Sequence, residues 1–125
     1  MDAFIDTSVL LSIALDQEHA HEWARRLEAF TAVAAAGLLE AELRSACHRE
    51  GRPVNEILLS NLTWIAPTRS LRPEIDRVLD AGYVRGADCW HLATALYLAP
   101  DSAELTFLTL DLRQREVAAA LGFTT

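Results

Sequence analysis

The 125-residue chain, 51% hydrophobic and 23% charged, has room for one domain that buries roughly two thirds of its unfolded surface, and none for a second. Its formal charge of −7 argues against nonspecific polyanion binding by the fold as a whole, while leaving a local basic rim open. All 11 basic residues are arginine, which excludes the lysine-dependent chemistries of the P-loop, the response-regulator receiver and the Schiff base.

Strand and helix patterns alternate along the chain. A strand is expected near residues 3–6, helices near 8–16 and 19–30, a short buried strand near 31–36 and a helix near 38–50. The 32–36 stretch is alanine-rich, but Val33 and the turn at Gly37 favour a strand there over a longer helix. After a break at Gly51 and Pro53 come a helix near 54–61 and the strand LTWIA, which Pro67 ends. Helices near 71–81 and 87–99, the strand LTFLTL at 105–110 and a helix near 112–121 follow, with Gly122 as C-cap and FTT able to form only a short edge strand. That order predicts a single α/β domain over residues 1–125 with a mainly parallel sheet. No apolar run reaches the roughly 18 residues of a membrane span, and no basic, apolar leader opens the chain, so a soluble, cytoplasmic protein without a membrane span is expected. Cys47 and Cys89 fall in helical patterns away from any CxxC spacing and read as reduced, mainly structural thiols.

Four acids stand where apolar residues belong. Asp6 closes the strand AFID and Asp111 closes FLTLD, so both lie at strand carboxyl ends, where open α/β sheets bind ligands. At about 100° per residue, Glu42 lies beside the Leu39, Leu43 and Ala46 face of its helix, whereas Glu40 projects about 160° away from it among solvent-facing positions. Asp88 shares a line with Leu92, Ala95 and Ala99, the face that meets the sheet. Each has an ordinary alternative: Asp6 or Asp111 as a helix cap, Asp88 as a first-turn acid favoured by the macrodipole, Glu42 as a surface residue. Their joint occurrence favours chemistry, because converging buried carboxylates require raised pKa values or a bound cation. An oxygen-only donor set suits Mg²⁺ or Mn²⁺ rather than zinc. Ser8, beside Asp6, and Thr109, two residues before Asp111, are secondary candidates. His91 follows Asp88 by one turn and reads first as a satisfied, partly buried histidine, with a substrate or water contact as the alternative. His19, His21 and His48 read as surface or helix-end residues, and the scattered tryptophans and phenylalanines as core or interface anchors.

The motifs FIDTSVLL, LLEAELRSA, GADCWHLATAL and FLTLDLRQREVAAALGF, in that order from Asp6 to Phe123, resemble those of PIN domains, specifically the VapC-like ribonuclease toxins of toxin–antitoxin pairs. The resemblance implies a PIN-like α/β/α fold with a mainly parallel sheet of about five strands flanked by helices. It also implies an acidic pocket for Mg²⁺ or Mn²⁺, hydrolysis of RNA, a cognate VapB-like antitoxin and often a homodimer. Carried over residue by residue, it reaches Asp6, Glu42, Asp88 and Asp111 as catalytic acids, with Ser8 and Thr109 secondary. Asp6, Asp88 and Asp111 are then the metal ligands, and Glu42 positions a water or acts as base. Arg44, Arg85 and Arg113 lie near these motifs and are candidates for phosphate contact, with solvation or internal pairing the competing reading.

Two rivals remain at this level. A haloacid dehalogenase-like phosphatase would read FIDTS as its strand-end acid loop, but Ser8 stands where that chemistry needs a second aspartate, and the lysine it uses is absent. A catalytically silent PIN-like binding module is the other. In either PIN reading, an antitoxin segment inserting a basic side chain among the acids fits the charge of the pocket.

Overall fold

The computed structural model describes residues 2–125. Four short strands form one parallel sheet: β1 (Asp2–Ile5), β2 (Val33–Ala36), β3 (Thr63–Ile65) and β4 (Leu105–Leu108), in the order β3-β2-β1-β4. Seven helices connect and cover them: α1 (Thr7–Ala14), α2 (Ala20–Glu28), α3 (Leu38–Arg49), α4 (Glu56–Ser60), α5 (Arg72–Ala81), α6 (Gly86–Leu98) and α7 (Leu112–Ala120). The expected α/β architecture is therefore present, with a four-stranded sheet in place of about five strands. Beyond β4 the chain's last residues make only a single parallel bridge, Thr106 to Thr124, in which Phe107 N–H donates to the Thr124 carbonyl at 2.8 Å. Thr124 N–H in turn donates to the Leu105 carbonyl at 3.2 Å, which makes an isolated bridge and not a ladder.

Parallel strands covered on both faces read as continuous apolar runs, and the pleat divides their side chains between two cores. Phe4, Ala34, Ala36, Leu105 and Phe107 face the layer of α5, α6 and α7, where Val78, Leu92, Leu96 and Val117 are buried. Ala3, Ile5, Ala35 and Leu108 face the opposite layer, with Val9, Leu10, Leu39, Leu43 and Leu59. Phe4 stacks on Phe107 with ring centroids 5.7 Å apart, and Phe107 meets Phe123 at the same distance. The alanines of β2 are thus strand residues buried on both faces rather than a backward extension of α3.

Local signals set most element ends. Asn55 caps α4 by accepting from the Ile57 and Leu58 N–H groups, and Pro73 opens α5. Between α1 and α2 the chain passes Asp16 and His19 with φ of 52° and 66°, so α1 ends two residues and α2 begins one residue inside the expected spans. Gly122 ends α7 at φ +98°, and a Cβ there would stand 2.6 Å from Ser102 Oγ, so glycine is required on both counts. Among the described residues no helix is long and apolar enough to cross a membrane. Both cysteines are buried and free, and burial pushes the Cys89 thiol pKa up, as suits an inert structural thiol.

Candidate active site

The carboxyl ends of the adjacent strands β1 and β4 are drawn together by a hydrogen bond from Asp6 N–H to the Leu108 carbonyl at 3.3 Å. Asp6 follows β1 directly and is 4% exposed. It caps α1: Oδ1 accepts from Ser8 N–H at 3.1 Å and from Ser8 Oγ at 2.6 Å, while Oδ2 accepts from Thr109 Oγ1 at 2.6 Å. Capping is therefore done by Asp6 and not by Ser8, whose hydroxyl instead bridges the two strand ends by accepting from Leu110 N–H at 3.0 Å. Burial pushes the Asp6 pKa up, and the Ser8 and Thr109 hydrogen bonds oppose that rise.

Asp111 caps α7, accepting from Gln114 N–H at 2.8 Å, and its own N–H donates to Thr109 Oγ1 at 3.0 Å. Thr109 therefore joins the Asp6 carboxylate and the Asp111 backbone through one hydroxyl. Gln114, fully buried, sits 3.2 Å from Thr109 Oγ1 through Oε1 and donates from Nε2 to the Asp88 carbonyl at 3.3 Å. It links the Thr109 hydroxyl to the backbone of α6.

The other two acids come from opposite helical layers. Glu42, on α3, accepts from Thr7 Oγ1 at 2.6 Å and lies 3.0 Å from His91 Nε2, all through Oε1. Asp88, in the first turn of α6, makes no side-chain hydrogen bond or ion pair among the described residues. Its pKa is raised, first by burial and then by the negative charges of Asp111 and Asp6. These acids, with Thr7, Ser8, Arg49 and His91, line one cavity of about 340 Å³. None of the four is paired with an arginine among the described residues.

The donor set fits a hard divalent cation: oxygen-only, negatively charged, and mutually repulsive enough to shift Asp88. Among the described residues, no group of three or more histidine, cysteine or acidic side chains is gathered closely enough to hold an ion as the side chains stand. The structure thus brings the four expected acids to one cavity without drawing them to one point.

The three candidate phosphate contacts have different surroundings. Arg44 is gripped by both oxygens of Glu56 at 2.9 and 2.7 Å and by Glu40 at 2.9 Å, so carboxylates already fill its fork. Arg113 donates to the Tyr83 carbonyl at 3.1 Å and pairs with Glu116 at 3.2 Å. Arg85 is the exposed residue just before α6 and has no side-chain partner among the described residues. Sequence reasoning passed over Gln114 and Arg49. Gln114 lies three residues after the Asp111 cap and Arg49 two turns after Glu42, so helical spacing from known acids is the signal that reaches both.

An α/β sheet with carboxylates from β1, α3, α6 and the β4–α7 junction gathered around one cavity at its carboxyl edge is a nuclease-type fold. The sequence model of the PIN domain family matches residues 3–120, and the chain belongs to that family. No curated protein matches it.

Proposed function

We propose that this protein is a Mg²⁺- or Mn²⁺-dependent ribonuclease of the VapC-like toxin kind, held inactive by a cognate VapB-like antitoxin. The observation that carries the reading is the cavity itself: four carboxylates from four separate elements, at the ligand end of a parallel sheet, none paired with an arginine among the described residues, since the Arg49 that also lines the cavity pairs with Glu50. Folding stability alone does not favour such an arrangement, since each added charge raises the cost of the others.

Asp6, Asp88 and Asp111 are the residues that would hold the cation, and Ser8, Thr109 and Gln114 keep the strand-end acids in place. When bound, the cation supplies neutralisation of the scissile phosphate and a lowered pKa for water. Glu42 takes the proton from the attacking water as its oxygen bonds to phosphorus. The P–O3′ bond then breaks and the 3′ oxygen takes a proton from solvent water, leaving a 3′-hydroxyl and a 5′-phosphate. Arg85, exposed and unpaired, is the arginine best placed to meet RNA phosphates, ahead of Arg44 and Arg113. The antitoxin would offer a basic side chain to the same acids, and the same reading carries a homodimer, checked by light scattering of the isolated protein.

The test is cleavage of a mixed cellular RNA pool by the isolated protein in Mg²⁺, Mn²⁺ or EDTA, beside Asp6→Asn. Metal-dependent cuts that vanish in the variant support the reading. Cuts that persist equally in EDTA, or in Asp6→Asn, reject it. One observation favours a second reading, a silent PIN-like binding module: the acids line the cavity without being gathered to one point. Absence of cleavage by the isolated protein in either metal, while a separate binding assay shows that it still takes up the antitoxin, supports that alternative.

A further inference from the structure

His91 is a buried polar group that the proposed chemistry leaves unused. Its side chain is 2% exposed, yet it lines the acidic cavity, and Nδ1 has no hydrogen-bond partner among the described residues. A proton on Nδ1 would be a buried donor without an acceptor, which is unfavourable. The ring is therefore best satisfied with its proton on Nε2, the nitrogen 3.0 Å from Glu42 Oε1. Thr7 Oγ1 donates to the same oxygen at 2.6 Å, and the Thr7 hydroxyl and His91 Nε2 are 3.4 Å apart. Two donors thus converge on Oε1, while no described residue donates to Oε2.

We infer that His91, together with Thr7, is a positioning residue that clamps Oε1 of Glu42 and reserves Oε2 for the reacting water. The inference rests on the reading of Glu42 as the proton acceptor. The physical reason for a clamp is the glutamate's length: with three rotatable bonds, an unheld Glu42 would spread its carboxylate over several rotamers. Held by α1 through Thr7 and by α6 through His91, the carboxylate on α3 is fixed from both helical layers. The spacing on α6 serves this purpose, since Asp88 and His91 are three residues apart and project from neighbouring positions on one face. Such supporting hydrogen bonds typically carry about 10–100-fold in activity.

The experiment has two arms on the full chain. In the first, a long-range proton–nitrogen NMR spectrum of the metal-free protein reads the His91 ring, with assignment by His91→Gln. The inference expects a protonated Nε2 and a bare Nδ1, and a change in the Nε2 resonance in Glu42→Gln. A protonated Nδ1 with bare Nε2, or a ring insensitive to Glu42→Gln, overturns it. In the second arm, RNA cleavage is measured for His91→Leu, His91→Gln and both changes in a Glu42→Gln background. His91→Leu should lower kcat by about 10–100-fold with KM changed less than about twofold, and His91→Gln, whose amide can donate to Oε1, should recover much of the loss. In the Glu42→Gln background, His91→Leu should cost nothing further. An unchanged kcat in a folded His91→Leu protein, or full additivity with Glu42→Gln, overturns the inference. Should the wild-type protein cleave no RNA, the nuclease reading fails by itself, and the ring spectrum decides whether the clamp exists.

Discussion

Glu40 and Glu42 belong to the same helix and have opposite surroundings. Glu40, on the outer face of α3, is held by Arg44, which also grips Glu56 with a two-pronged hydrogen bond. Glu74 on α5 is likewise matched by Arg69 at 2.6 Å, and the arginine holds its carboxyl below the usual range. Across the helix, Glu42 joins Asp6, Asp88 and Asp111 in a cavity where none of these acids has an arginine partner among the described residues. The difference separates two uses of the same residue type. An acid matched by a neighbouring cation contributes modestly to the surface, whereas in the unmatched set burial and then the charges of Asp111 and Asp6 push the Asp88 pKa up, a liability unless something else binds there.

The largest effects should come from the unmatched set. Asp6→Asn or Asp88→Asn is expected to abolish metal-dependent RNA cleavage while circular dichroism shows an intact fold; full activity in both variants removes the site assignment. Next comes the direct contrast on α3. Glu42→Gln should lower the cleavage rate by about 10²–10⁴-fold, the range for loss of a general base, while Glu40→Gln stays within about twofold of wild type. Equal losses in the two variants would erase the distinction between the faces of the helix.

A smaller effect is on stability. Asp6 and Asp88 both have folded-state pKa values raised above the ordinary 3.8, so the folded protein binds their protons more tightly than the unfolded chain. Their contribution to stability is fully present below 3.8 and is lost as pH rises through the raised folded values. In chelator, Asp88→Asn should therefore melt higher than wild type at neutral pH, and this gap should close as the melts are repeated at progressively more acidic pH. A gap that widens toward acid would contradict the assignment. The smallest effect belongs to the matched face: Arg44→Ala should alter cleavage and melting temperature little, because Arg44 and its two glutamates are exposed and solvated. A marked rise in KM for RNA in that variant would instead place Arg44 among the phosphate contacts.

Much of this arrangement was legible in the sequence because its signals are local. Strand ends marked by Asp6 and Asp111, and the helical lines that carry Glu42 and Asp88, follow from periods of two and 3.6 residues. The alanine strand at Val33–Ala36 was readable because Gly37 separates it from the helix after it. What escaped depends on tertiary approach. The role of Gln114 requires the start of α7 to meet α6, and the double grip on Glu42 requires α1, α3 and α6 to meet at one point. The Arg44–Glu56 pairing joins residues of different helices, so spacing alone left Arg44 open to RNA. Among the described residues the segment after Gly122 makes one bridge to β4, at Thr124, in place of a fifth strand.

The most direct test of the account is a calorimetric titration of the isolated protein with Mn²⁺, repeated with Asp88→Asn and with Glu40→Gln. If the unmatched acids form a cation site, wild type and Glu40→Gln bind Mn²⁺ alike, with a rise in melting temperature, and Asp88→Asn loses most of the affinity. Mn²⁺ binding that is undiminished in Asp88→Asn, or no Mn²⁺ binding by the wild-type protein, would contradict it.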